Sequence, residues 1–236
     1  MKIVVTNDDG LDAPGLAALE AACRTLGDVI AVAPDCEQSG VGHRITTTAP
    51  IPVKEESSSR YRVTGTPADC ARLAISCLVP DTSLVVSGIN RGGNLGADVY
   101  ISGTVAAARE ATLLGVPAIS ISHFVNRSLP LDWDRAGRMA AEVLRRLMEH
   151  PLPAAVFWNV NLPHLPADAP EPAVVECPLD FSPLHVRFRR EGGAFCYAGD
   201  YHGRPRRAGS DVDQCFRGNI TVTAIPLALP DGREVR

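Results

Sequence analysis

The 236-residue sequence has no CxxC pair among its seven cysteines and no cluster of histidines at metal-ligand spacing. With an odd cysteine count, those absences argue against a zinc clip and a disulfide framework, so reduced thiols in the cytoplasm are expected. No apolar run approaches the roughly 20 residues of a membrane span. Met1-Lys2 leads straight into Ile3-Val4-Val5 and then two aspartates, which is incompatible with a signal peptide. Basic charge is not in excess either: 23 Lys and Arg against 27 Asp and Glu give a net charge of -4. A protein that grips a nucleic-acid polymer through a basic surface is therefore not expected, whereas a nucleotide monomer remains a fit.

Familiar catalytic signatures are missing too. There is no Gly-x-Ser-x-Gly elbow and no P-loop lysine, and the glycines of residues 88–103 lack GxGxxG spacing. What is present is an ordinary globular balance, 45% hydrophobic and 21% charged, long enough for one large core or a core plus an appendage.

The first half alternates short apolar runs with helix-like segments, the pattern of a parallel sheet with crossover helices. Strands are expected at residues 2–6, 29–33, 60–64, 83–87, 118–122 and 154–160, and helices at 15–26, 67–77, 104–114 and 131–150. Thr66 can cap the second helix, Pro67 suits its first turn, and Asp69 favours its positive end. The last helix is entered at Asp132 or Asp134 and stopped by Pro151. The sheet is expected to end near residue 160. Residues 163–183 are proline-rich, 184–188, 194–198 and 219–225 look like strands, and the polar tail from Pro230 is expected to fray. The chain thus divides into an α/β core over 1–162 and a β-rich segment over 163–236, expected to oligomerise and partly to complete the core.

In an open parallel sheet, ligands bind beyond the carboxyl ends of the strands. TNDDG at residues 6–10, the loop 34–42 and the Gly-rich loop 88–103 all fall there. Asp8, Asp9, Ser39 and Asn90 offer oxygen donors from these loops, a set suited to Mg²⁺ or Mn²⁺ rather than zinc. Gly10 permits a turn that lets both aspartates face one ion, or one Asp can orient water instead. Taken singly, each of these residues also describes an ordinary turn. The Gly-rich loop feeds a helix, so the hydroxyls of Ser102 and Thr104 and the backbone N–H groups near Gly103 stand at a helix N-terminus that can hold phosphate. Asn94 can add an amide. A plain N-cap is the commoner use of such serines and threonines. His43 is either a substrate or proton-transfer contact or a structural hydrogen-bonder.

Together, VTNDDG at 5–10, APDCEQSGVGHRIT at 33–46, TGTPADC at 64–70 and SGINRGGNLGADVYISGTVAAAREA at 87–111 strongly resemble the SurE family, stationary-phase survival proteins with 5'/3'-nucleotidase activity. Asn159-Val160-Asn161-Leu162-Pro163 and residues 218–226 are similar to later family blocks. The resemblance implies a Rossmann-like core whose C-terminal hairpin region is exchanged between subunits, giving homodimers or homotetramers. It also implies one divalent cation per subunit held by Asp8, Asp9, Ser39 and Asn90, and phosphate contacts from Asn94, Ser102, Gly103 and Thr104. Two departures stand out: Gly93 occupies a position where the family usually has Pro, and Ile101 one where Tyr or His precedes Ser102, with Tyr100 one place earlier. The expected activity is metal-dependent hydrolysis of nucleoside 5'- and 3'-monophosphates, with Asp8 and Asp9 as the catalytic pair. A broad-range phosphatase that also takes short polyphosphate, and a nucleotide sensor without turnover, are the alternatives.

Overall fold

The computed structural model describes residues 1–149, 154–184 and 186–227. In chain order it contains β1 (Lys2–Thr6), α1 (Pro14–Cys23), β2 (Asp28–Pro34), β3 (Val53–Ser57), β4 (Arg60–Val63), α2 (Pro67–Leu73) with a π-helical turn at Ala74–Leu78, and β5 (Leu84–Arg91). A 3-10 turn at Gly96–Tyr100 precedes α3 (Gly103–Leu113), β6 (Ala118–His123), α4 (Trp133–Leu147) and β7 (Val156–Leu162). The remainder is β8 (Val174–Glu176), β9 (Phe188–Glu191), β10 (Ala194–Tyr197), α5 (Asp211–Phe216) and β11 (Ile220–Pro226).

Nine strands form one sheet in the order β3-β4-β2-β1-β5-β6-β7-β11-β8, and β9 and β10 form a separate antiparallel hairpin. From β4 to β7 every pairing is parallel, β3 is antiparallel to β4, and β11 is antiparallel to β7 but parallel to β8. The chain builds outward from β1 to β2 and β4, then returns to the other side of β1 and builds outward again through β5, β6 and β7. That reversal opens a crevice at the carboxyl ends of β1 and β5.

Both faces of the central strands are buried, which explains their unbroken apolar sequences. Ile3 and Val5 pack with Leu16 and Leu19 of α1 and with Met139 and Val143 of α4 on one face. Val4 and Val85 pack with Cys70 of α2 and Val105 and Ala108 of α3 on the other. Each buried Ile, Val, Leu or Met among them contributes about 1.5–3 kcal/mol of transfer free energy. The helix starts follow their sequence signals. Thr66 Oγ1 accepts from the Asp69 N–H at 3.2 Å and Asp69 Oδ2 accepts from the Thr66 N–H at 3.0 Å, while Asp132 rather than Asp134 caps α4.

Several expectations need correction. β5 does not stop at Ser87 but runs to Arg91, because its pairing with β6 resumes after an irregularity, Asn90 opposite Ser122 and Arg91 opposite His123. Gly88, Ile89 and Asn90 are thus strand residues rather than loop. The sheet does not end near residue 160: β11 lies antiparallel on β7 and β8 lies on β11, so two strands of the C-terminal segment extend it. β3 was not foreseen because its sequence, VKEES, is exposed throughout and shows no alternation. The short helix α5 was not foreseen either. Of the strand expected at 184–188 only Phe188 is extended, as the start of β9, and His185 lies outside the described residues. So do His150, Pro151 and the tail from Pro230.

Candidate active site

After β1 the chain turns through Asn7, Asp8, Asp9 and Gly10. Asn7 is fully buried and closes the turn: its Nδ2 donates to the Gly10 carbonyl at 2.9 Å and its Oδ1 accepts the Gly10 N–H at 3.1 Å. Gly10 takes φ 104°, a backbone state that a side chain would strain. Asp8 is buried, and its Oδ1 accepts a hydrogen bond from Thr104 Oγ1 at the start of α3. Asp9 is half-buried, and its Oδ2 accepts the Arg91 N–H, at 3.2 Å, from the end of β5. The two aspartates therefore reach across the crevice to two different elements.

Burial raises the Asp8 carboxyl to about 6 against the opposing hydrogen bonds from Thr104, and the neighbouring Asp9 charge pushes the same way. Asp9 is also raised, first by burial and further by Glu37, with the Arg91 N–H opposing. Adjacent carboxylates with Ser39 on the same cavity and Asn90 beside Arg91 are the hard oxygen donors that a divalent cation takes.

The loop after β2 docks on this turn through the Gln38 N–H, which donates to the Asp8 carbonyl at 2.7 Å. Ser39 lines the same cavity as Asp9, but its Oγ donates to Glu37 Oε1 at 2.6 Å rather than meeting an aspartate. Asn90 sits next to Arg91, with its Nδ2 donating to the Gly92 carbonyl at 2.9 Å. At the start of α3, Gly103 packs against Asp8, and Ser102 Oγ accepts the Val105 N–H at 3.1 Å as an N-cap. Thus Asp8, Gly103 and Thr104 meet directly, Asp9 and Ser39 share one cavity wall, and Asn90 adjoins the residue that binds Asp9.

Asn94 is the outlier. Its Nδ2 donates to Ser122 Oγ at 2.7 Å, and its peptide group is clamped by two asparagines of β7. Its amide is thus engaged by Ser122 of β6. His43 does not line the cavity; its Nε2 lies 2.7 Å from Glu110 Oε2 on α3, the structural alternative. Sequence reasoning missed Asn7, Glu37, Asn159 and Asn161. The last two did leave a signal, since residues two apart on a strand share a face, and here both are amides in a buried strand.

Proteins of known type share this architecture. The family described as Survival protein SurE matches residues 3–177. A putative 5'-nucleotidase of Nostoc sp. (strain PCC 7120 / SAG 25.82 / UTEX 2576) is 48% identical over 225 residues, covering 95% of this chain and 99% of the relative. The 5'-nucleotidase SurE of Geotalea daltonii is 47% identical over 236 residues, covering 97% of this chain and 94% of that protein. The crystal structure of the SurE protein from Aquifex aeolicus aligns with a TM-score of 0.87 at 30% identity, over 98% of this chain and 95% of that one. With the family match spanning most of its length and full-length relatives at nearly half identity, the chain belongs to the SurE family.

Proposed function

We propose that the protein is a 5'-nucleotidase that hydrolyses nucleoside monophosphates to nucleoside and phosphate. The observation that carries this reading is the meeting of the buried Asp8, one of two adjacent carboxylates, with a helix N-terminus at Gly103 and Thr104, at the point where the strand order reverses. The names of the relatives, each a 5'-nucleotidase or putative one, support it from outside the site.

Asp8, Asp9, Ser39 and Asn90 would hold one divalent cation, Mg²⁺ or Mn²⁺, with Ser39 turning from Glu37. When bound, that ion supplies charge stabilisation at a phosphoryl oxygen and acidifies a water. Asp8 or Asp9 positions or deprotonates the attacking water. The α3 N-terminus, through the Gly103 and Thr104 backbone and the Ser102 and Thr104 hydroxyls, offsets charge on the phosphoryl oxygens. Asn94 contributes its amide only if the side chain turns from Ser122. Action on 3'-monophosphates belongs to the same reading, since one phosphate site serves either ester.

Assembly into homodimers or homotetramers is proposed through residues 163–236. The β9–β10 hairpin supports it: it stands apart from the main sheet and leaves Phe188, Phe195 and Tyr197 exposed. A cytoplasmic location suits seven free thiols, and among the described residues no helix is long and apolar enough to cross a membrane.

The decisive experiment is a substrate-by-metal matrix: 5'- and 3'-monophosphates of each base and short polyphosphate, each with Mg²⁺, Mn²⁺ or EDTA. The expected result is phosphate release from nucleotides with metal and none with EDTA. Release chiefly from polyphosphate would move the protein to the broad phosphatases, and no release at all would favour a sensor.

A further inference from the structure

The cavity beside Asp9 and Ser39 holds about 1030 Å³ and extends to Phe124, Tyr201 and His202. That is the upper end of the roughly 300–1,000 Å³ that takes an organic ligand, far more than a phosphate group fills. Its lining is mixed: Asp9, Glu37 and Ser39 supply oxygens, and Tyr201 and His202 from the C-terminal segment join Phe124 from the loop after β6 as an aromatic part.

Tyr201 is braced from behind. Its hydroxyl donates to Asp98 Oδ2 at 2.9 Å, Asp98 pairs with the buried Arg204 at 2.7 Å, and the Arg204 guanidinium lies 5.1 Å from the Tyr201 ring centroid. Phe124 stacks near it, at 6.3 Å between centroids and 21° between planes, and His202 meets Phe124 edge-on at 5.4 Å. Gly93 makes the room: a β-carbon there would lie 3.1 Å from the Tyr201 hydroxyl oxygen. The departure from the family pattern at Gly93 thus has a partner in space. With its hydroxyl engaged in the wall, Tyr201 as a whole residue is 36% exposed on the cavity side that it lines, and His202 is exposed beside it. Polar groups tied back and ring surface left open make a platform for a flat apolar group.

We propose that Tyr201 and His202, backed by Phe124, are the nucleobase subsite, seating the planar heteroaromatic part of a nucleoside monophosphate whose phosphate lies toward Asp9 and Ser39. This rests on the nucleotidase reading. It assigns substrate selection to the C-terminal segment and phosphate chemistry to the sheet.

The test pairs binding with turnover in the full-length protein. Adenosine, which has a base but no phosphate, is titrated calorimetrically into the wild type, Tyr201→Ala, Tyr201→Phe and His202→Ala. AMP and ribose 5-phosphate, which lacks the base, are compared as substrates. Loss of a stacking ring is expected to weaken adenosine binding at least about tenfold in Tyr201→Ala, with His202→Ala weakened less and Tyr201→Phe near wild type. The KM for AMP should rise by a similar factor in Tyr201→Ala, while that for ribose 5-phosphate rises less than about twofold. Equal losses on both substrates, unchanged adenosine binding in both alanine variants, or no adenosine binding by the wild type would overturn the proposal. A wild type that turns over neither phosphate ester yet binds adenosine through Tyr201 would leave the subsite standing and remove the nucleotidase reading.

Discussion

Gly103 stands so close to Asp8 that a β-carbon on it would lie 3.0 Å from the Asp8 Cβ and 3.1 Å from Asp8 Oδ2. The start of α3 and the aspartate turn are thus fitted to each other at contact distance, and Thr104 Oγ1 completes the fit by bonding Asp8. Gly103→Ala must push either partner away. Overpacking of this kind costs about 1–3 kcal/mol, and a small displacement of reacting groups lowers turnover by about a hundredfold. Thermal unfolding and steady-state kinetics measure the two effects separately; unchanged kcat would remove the α3 N-terminus from the reaction.

Asp9→Asn keeps the size of the side chain and removes one charge of the pair. Phosphate release should fall by about 10²–10³, the usual cost of losing one preorganised electrostatic partner. The fold should stay intact. In the wild type Mn²⁺ should raise the melting temperature, because a ligand bound only by the native state stabilises it by about 2.7 kcal/mol at a hundred times its Kd. Asp9→Asn should lose that shift, and retention of both shift and activity would exclude Asp9 as a ligand or catalyst.

Asn161 holds Asn94 by both sides of its peptide unit, accepting the Asn94 N–H at 2.8 Å and donating to its carbonyl at 3.1 Å, with Asn159 adding a second donor at 2.8 Å. Asn161→Ala strands a buried N–H at a cost of about 1–3 kcal/mol. Amide hydrogen exchange at Asn94 and Leu95 should accelerate, and kcat should fall although Asn161 lies behind the loop. Exchange at the wild-type rate would show that the bond to Asn161 does not protect the Asn94 N–H.

Burial, with the nearby His164 adding to it, lowers His123 from its ordinary value to about 4. Its neutral form is favoured in the native state, so the native protein binds the proton less well than the unfolded chain does. The associated stability is present above pH 6.5 and is lost as pH falls from 6.5 toward 4, to a total on the order of 3 kcal/mol. Denaturant unfolding at stepped pH should trace that decline, and His123→Gln should flatten it. An equal slope in the variant would assign the acid loss to other groups.

The strands β1 and β5 were legible because burial on both faces leaves the apolar runs Ile3-Val4-Val5 and Leu84-Val85-Val86, and the α2 start because Thr66, Pro67 and Asp69 each have a local role. The meeting of the Asp8-Asp9 turn with the loop after β2 and the start of α3 was legible because all three lie beyond the same strand ends. What stayed hidden was non-local or unpatterned. VKEES of β3 has no buried face to mark it, and nothing within residues 219–225 names β7 as the partner of β11. The Asn94 amide turned toward Ser122 because β6 and β7 present buried polar groups there, a pairing that no loop sequence encodes. Tyr201 lies 108 positions from the Gly93 carbonyl it approaches, beyond the reach of any local rule.

The position of β11 between β7 and β8 has a consequence for synthesis. When a nascent chain has emerged through Glu176, β8 has no strand to join, because among the described residues it pairs with β11 alone, some 40 residues later. Until then β7 presents a bare edge with its ladder groups unpaired, open to any other extended chain. The last strand described is thus the piece that closes the growing molecule to its neighbours on the polysome, and a ribosome stall before Ile220 would release the species most prone to aggregate.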